Sequence, residues 1–218
     1  MKAGTPECEI CILAGGLSAR MGRDKARLRL GGKTLLRRVQ DIAGQTKWPV
    51  RVIRRDLVER CGPLGGVYTA LQTTPADSVL FLACDMPFVT VELVEKMIDL
   101  WPSKTGAIFT RGGIGGKAGF PFILRRNLLA KVERQLAQRH YSLQMLAASC
   151  RARIFAVRLA GPVLFNVNTP GEWETARKIA VARGQPGNRS LKMLDKAAVN
   201  LQKGLASAPI DLSAFTVA

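Results

Sequence analysis

The residues best suited to chemistry crowd one stretch near the start of the chain, Ile12-Leu13-Ala14-Gly15-Gly16-Leu17-Ser18-Ala19-Arg20-Met21-Gly22-Arg23-Asp24-Lys25. An apolar run ends in a glycine pair, and a hydroxyl, an arginine, a glycine and a lysine follow. Glycines allow close approach to the backbone and supply dihedrals that other residues avoid. Successive backbone N–H groups in such a loop form a concavity for anions. Arg20 and Lys25 add fixed charge suited to the β- and γ-phosphates of a nucleoside triphosphate. The plain alternative is a surface loop carrying two solvated cations. A second candidate is Asp85, which follows the apolar run from Val79 to Cys84 and precedes Met86-Pro87. A carboxylate held at the end of a buried strand suits Mg²⁺, which commonly takes one or two carboxylates plus substrate phosphates. Its plain alternative is an aspartate that caps the next turn.

Two lookalikes are set aside. Gly31-Gly32-Lys33-Thr34 resembles the end of a Walker A loop, but Arg27 stands where that motif requires its first glycine. It reads instead as a tight turn into a capped helix. Cys8 and Cys11 form a C-x-x-C, yet they lead into a predicted strand rather than a helix start. His140 is the only histidine and lies far off in sequence, so zinc spacing is not met. Five cysteines, an odd number, argue for free thiols.

The elements that must hold these groups follow from periodicity. Glu9 to Ala14 predicts a strand covered on both faces. Residues 15–32 form a long loop, of a length that is usually functional. Thr34 to Ala43 predicts a helix, with Leu35, Leu36, Val39 and Ile42 near a helical period and Gly44 at its end. Val50 to Ile53 is a short strand. Gly65 to Thr73 is a helix entered through Gly62-Pro63-Leu64-Gly65-Gly66. Val79 to Cys84 is a strand, and Thr90 caps a helix running to about Trp101. Ala107 to Thr110 and Phe122 to Leu124 predict strands around a glycine-rich loop. Helices over 127–138 and 142–148 follow, then strands over 153–158 and 163–167. Thr169-Pro170-Gly171-Glu172 has capping-box spacing with proline at the first helical position. This alternation indicates a mainly parallel α/β sheet. Ligands of such sheets collect at the carboxyl ends of the strands, where Gly15-Gly16 and Asp85 both fall. Residues 1–184 read as one domain. Gln185-Pro186-Gly187-Asn188 breaks the pattern, and Leu191, Leu194, Ala198, Leu201 and Leu205 give the extension 185–218 the spacing of a short amphipathic helix.

Composition narrows the classes. The chain has 218 residues, 47% of them hydrophobic, and its apolar runs are too short to cross a bilayer. Its start lacks the apolar core of a secretion signal, so it reads as cytoplasmic, with no membrane partner. The formal charge is +17, but Lys and Arg are spread along the whole length and only 6% of residues are aromatic. No aromatic-basic RNA-recognition motif is present. Nucleic acid is therefore not the expected partner; the charge reads as a solvated cationic surface, with steering of an anionic substrate as the alternative.

Four blocks together resemble the MobA-like molybdenum cofactor guanylyltransferases. They are Leu13-Ala14-Gly15-Gly16 through Arg20-Met21-Gly22 to Asp24-Lys25, Gly62-Pro63-Leu64-x-Gly66, Ala83-Cys84-Asp85-Met86-Pro87, and Asn166-Val167-Asn168-Thr169-Pro170. The resemblance implies a three-layer Rossmann-like nucleotidyltransferase fold, its sheet mainly parallel with an antiparallel edge. It implies transfer of GMP from GTP to molybdopterin (the molybdenum cofactor) with release of pyrophosphate, dependent on Mg²⁺ or Mn²⁺. Molybdoenzymes or their chaperones would be onward partners. By matching positions, Leu13, Ala14, Gly15, Gly16, Ser18 and Gly62 would hold the nucleotide. Arg20 and Lys25 would bind the triphosphate and Asp85 the metal. Asp56 sits within about a residue of the family's base-side aspartate, with Arg54 and Arg55 beside it as alternative ionic partners. Asn166 and Asn168 would face the acceptor. One departure stands out: only one strand, Val50 to Ile53, fits between the first helix and Gly62, where the family places a strand, a helix and a further strand. The base-reading region is therefore shortened. CTP, or an NTP used on a sugar phosphate, is the alternative chemistry, and a binding protein without transfer activity the alternative class.

Overall fold

Two hexapeptides, Cys8–Leu13 and Ser78–Ala83, are buried along their whole length, as expected of strands covered on both faces. The structure is a computed structural model, described for residues 7–15, 25–58, 60–101, 106–112, 116–157 and 162–184. In chain order come β1 (Cys8–Leu13), a 3₁₀ turn at Lys25–Arg27, β2 (Arg29–Leu30), β3 (Lys33–Thr34), α1 (Leu35–Ala43) and β4 (Val50–Ile53). Next are α2 (Pro63–Thr73), β5 (Ser78–Ala83), α3 (Val91–Asp99), β6 (Ala107–Gly112) and β7 (Ala118–Arg125). A 3₁₀ turn at Arg126–Leu128 leads to α4 (Leu129–Ala137), then α5 (Leu143–Ser149), β8 (Arg153–Val157) and α6 (Pro170–Gly184).

Six strands form one sheet in the order β4-β1-β5-β7-β6-β8. All pairings are parallel except those of β7 with β5 and β6. The sheet is thus mainly parallel as expected, but its one reversed strand lies inside rather than at the edge. A long β6–β7 hairpin inserts β7 beside β5. Alternation splits the core between the two faces. Ile10, Ile12, Leu80 and Leu82 pack with Val39 of α1 and Val94 and Met97 of α3. Leu13, Phe81, Phe109 and Phe122 pack on the other face with Val67 of α2, Val132 of α4 and Leu146 of α5. Cys8 and Cys11 go to opposite faces, so their thiols share no site. These layers make the three-layer α/β architecture.

The structure alters two local expectations. At the end of the predicted first loop, β2 and β3 form a small antiparallel hairpin. Gly31 and Gly32 have φ of 58° and 81°, the two positive values that a type I′ turn demands. Residues 163–167 are turn and extended chain, not a strand. Their apolar side chains fill the core while their backbone bonds elsewhere, Val167 N–H donating to the Asp85 carbonyl at 2.9 Å. The extension 185–218 and the segment 158–161 lie outside the described residues. No helix among the described residues is long and apolar enough to cross a membrane.

Candidate active site

Three parallel strands end in register. Leu13 of β1 stands beside Ile53 of β4 and Ala83 of β5. Beyond that line the Ala14 N–H donates to the Ile53 carbonyl at 2.8 Å, and the Cys84 N–H to the Leu13 carbonyl at 3.1 Å. The carboxyl ends of β1, β4 and β5 thus present Gly15, Asp56 and Asp85 on one rim.

Small residues make the wall around Asp56 possible. A Cβ on Gly15 would come 3.1 Å from the Arg54 carbonyl oxygen. One on Gly65 would lie 2.6 Å from the Val58 carbonyl oxygen and 2.8 Å from Asp56 Oδ2, too close for any side chain. Residues 54–58 therefore lie directly against the start of α2. The Thr69 hydroxyl fixes them, accepting from the Leu57 N–H at 2.8 Å while donating to the Gly65 carbonyl at 2.8 Å. Gly62, at φ 55°, turns the chain into α2, with Pro63 in its first turn. Burial pushes the Asp56 carboxyl above the ordinary aspartate range. Neither Arg54 nor Arg55 forms an ion pair with it among the described residues, so the flanking arginines do not neutralise it.

The second half of the site is polar and close. Asp85 follows β5, and Lys25 sits on the 3₁₀ turn that leads into the hairpin. The Lys25 ammonium lies 3.6 Å from Asp85 Oδ2, and donates to Asn168 Oδ1 at 2.7 Å. Both charged side chains are mostly buried, at 17% and 19% exposure. Desolvation pushes the Asp85 carboxyl up, and the Lys25 charge and hydrogen bond pull it only partly back. Asn166 Oδ1, two residues before Asn168, is buried without a hydrogen-bond partner among the described residues. Arg38 of α1 braces the surroundings, donating to the Leu30 carbonyl at 3.0 Å and the Pro87 carbonyl at 3.3 Å. Phe88, Val167 and Ala176 of α6 pack on Leu30 and Leu35, tying hairpin, Asp85 loop and α6 together.

Of the predicted residues, the structure brings Lys25, Asp85 and Asn168 into contact, with Asn166 adjoining. Leu13, Ala14, Gly15, Asp56 and Gly62 line the neighbouring wall. Gly16, Ser18 and Arg20 lie outside the described residues. Sequence reasoning missed Arg38, which looks like any polar-face arginine of an amphipathic helix, and Thr69, hidden in an apolar helix. It saw Glu172 only as a helix cap. A cavity of about 600 Å³ opens elsewhere, lined by Trp48, Asp77, Trp101 and Arg125 among others, and none of the predicted site residues lines it.

Glycines beside strand ends, a helix start and a lysine–aspartate pair thus lie together at the carboxyl edge of an α/β sheet, where ligands of such folds collect. Comparison with known proteins makes this specific. The family model described as "MobA-like NTP transferase domain" matches residues 10–153. The chain is 30% identical to a probable molybdenum cofactor guanylyltransferase of Trichormus variabilis, covering 80% of this chain and 89% of that one. It is 29% identical to the molybdenum cofactor guanylyltransferase of Vibrio cholerae serotype O1, covering 74% and 87%. The crystal structure of molybdopterin-guanine dinucleotide biosynthesis protein A from Archaeoglobus fulgidus superposes with a TM-score of 0.60 at 20% identity, over 79% of this chain and 98% of that one. The chain belongs to the MobA-like NTP transferase family and is a nucleotidyltransferase.

Proposed function

We propose that the protein transfers GMP from GTP to molybdopterin in molybdenum cofactor biosynthesis, releasing pyrophosphate. The observation that carries the reading is the Lys25–Asp85–Asn168 cluster, set beside Gly15 at the carboxyl edge of the sheet. The names of the relatives supply the guanylyl group and the acceptor. The described residues hold no group of three metal-ligating side chains. A single buried carboxylate beside a lysine fits a cation that arrives with the triphosphate and completes its shell with phosphate oxygens and water. Asp85 would hold that Mg²⁺ or Mn²⁺, which supplies charge neutralisation at the α-phosphate.

The chain's own groups position and stabilise. The glycine loop brings the triphosphate to Lys25, whose ammonium offsets charge on the departing pyrophosphate. An acceptor phosphate oxygen attacks the α-phosphorus as the bond to the β-phosphate bridging oxygen breaks. Among the described residues no side chain is placed as a nucleophile, and in this reading orientation and charge carry the rate. Asp56, held against Gly15 and the start of α2, accepts from the base.

One feature loosens the carry-over of guanine preference. Between α1 and α2 the described residues hold the single strand β4, at the edge of the sheet. CTP is therefore the alternative donor. Pyrophosphate release measured with each NTP, with and without molybdopterin and Mg²⁺, tests both. Acceptor-dependent release with GTP supports the proposal, and release with CTP only overturns it.

A further inference from the structure

The capping box at the start of α6 does more than end a helix. One oxygen of Glu172, Oε2, accepts from the Asn168 N–H at 2.7 Å, the Thr169 N–H at 2.8 Å and the Thr169 hydroxyl at 3.1 Å. In return the Glu172 N–H donates to Thr169 Oγ1 at 3.2 Å. A capping box satisfies the backbone N–H of the cap residue; here the same carboxylate also holds the N–H of the residue before it. That residue is Asn168, whose side-chain oxygen takes the Lys25 hydrogen bond at 2.7 Å. The segment is pinned from its other side by the Val167 N–H on the Asp85 carbonyl at 2.9 Å. Asn168 is thus fixed between Glu172 and Asp85, and its side chain aims at the lysine across 143 positions of sequence.

We propose that Glu172 is a positioning residue for the phosphate-binding lysine: through the Asn168 backbone it sets the amide oxygen that holds the Lys25 ammonium beside Asp85. The geometry stands on the structure alone, while its consequence for nucleotide binding rests on the function proposed above. A hydrogen bond to a charged partner is stronger and shorter than a neutral one, and three converge on this carboxylate. Removing it frees Asn168 to rotate away from Lys25 while the sheet and α6 persist. A glutamine at this position keeps an acceptor oxygen for the same donors.

Two experiments test this separately. Crystal structures of Glu172→Ala and Glu172→Gln need no ligand. The Lys25–Asn168 bond should be lost in the first and kept in the second; a bond intact in Glu172→Ala overturns the proposal. Affinity for a non-hydrolysable GTP analogue is then measured for wild type, Glu172→Ala, Glu172→Gln, Asn168→Ala, the double alanine variant and Ser142→Ala. Glu172→Ala should weaken binding about tenfold, Glu172→Gln should recover most of it, and the double variant should be no worse than Asn168→Ala, since residues acting through one contact are not additive. Ser142→Ala removes the N-cap of α5, whose side chain accepts from the Met145 N–H at 3.4 Å. It controls for simple loss of a helix cap, lowering thermal stability without touching affinity. Additive losses, or a Glu172→Ala effect no larger than that of Ser142→Ala, would overturn the proposal. A wild type that binds no nucleotide would instead count against the proposed function, with the crystal structures still deciding the positioning.

Discussion

Asp85→Asn separates chemistry from folding in one substitution. At 3.6 Å and an effective dielectric of about 20, the Lys25–Asp85 attraction is worth about 4.6 kcal/mol before desolvation is counted. Burial nevertheless pushes the Asp85 carboxyl up, so the cost of taking it out of water offsets that attraction. An amide of the same shape avoids that cost, and Lys25 keeps its 2.7 Å bond to Asn168. Yet Lys25, at 17% exposure, loses its counter-charge. Removing one member of a buried pair costs stability while the relieved desolvation returns it. Stability should therefore stay within about 1 kcal/mol of wild type, a change of about 2–4 °C in melting temperature for a domain of this size. Turnover should fall at least about 10³-fold, equivalent to about 4 kcal/mol of transition-state stabilisation. The assays are pyrophosphate release with GTP, acceptor and Mg²⁺, and thermal unfolding of the same preparation. Turnover within tenfold of wild type would remove Asp85 from the reaction. A melting temperature lower by ten degrees would show that the pair is a structural anchor and that the balance drawn between burial and attraction is wrong.

Other outcomes can be checked more briefly. Asp56→Asn should leave stability unchanged, because the carboxyl it replaces is raised by burial and has no ion pair among the described residues. It should lower the kcat/KM preference for GTP over CTP at least about tenfold; an unchanged ratio would move base reading elsewhere. Gly65→Ala should destabilise by about 1–3 kcal/mol in urea unfolding, since its Cβ would meet the Val58 carbonyl oxygen at 2.6 Å; a neutral effect would mean that residues 54–58 do not lie against α2. Burial pushes the Cys8 thiol up to about 11 and Cys11 up to about 12. Both should resist a disulfide reagent at pH 8 in the native state and react on unfolding. These raised values also fix a sign: the folded state holds these protons longer than the unfolded chain. Their contribution to stability is whole below the ordinary thiol value of 9.0 and is lost as pH climbs through about 11. A thermal unfolding series that rose between pH 9 and 11 would contradict it.

The parts of the fold that were legible in the sequence are those where one local rule dominates. β1 and β5 are apolar on both faces, and Thr34, Thr90 and Ser142 cap helices with their side chains. Residues 163–167 misled because apolar character reports burial, not hydrogen bonding. Val163 and Val167 are buried, yet the Val167 N–H serves the Asp85 loop instead of a neighbouring strand. The hairpin had a signal in Gly31-Gly32, but its two-residue strands are too short for a period. The place of β7 inside the sheet depends on pairing between distant segments, which no local window contains. The chemical groups of the site could be read from motifs, whereas their contacts could not. Nothing in Asn168 or Lys25 alone says that they meet.

That long-range meeting also sets when the site can exist. Lys25, Asp85 and Asn168 come from the start, middle and end of the domain, and the contact closes a loop of 143 positions. The cluster that seals them, Leu30, Phe88, Val167 and Ala176, is separate from the two main cores that flank the sheet. The sheet can be complete while the site is still open. Under the proposed function, docking of α6 completes the binding site, and its local opening should cost less than global unfolding. Amides of α6 should exchange with solvent before those of β1 and β5, and bound nucleotide should slow the first set far more than the second.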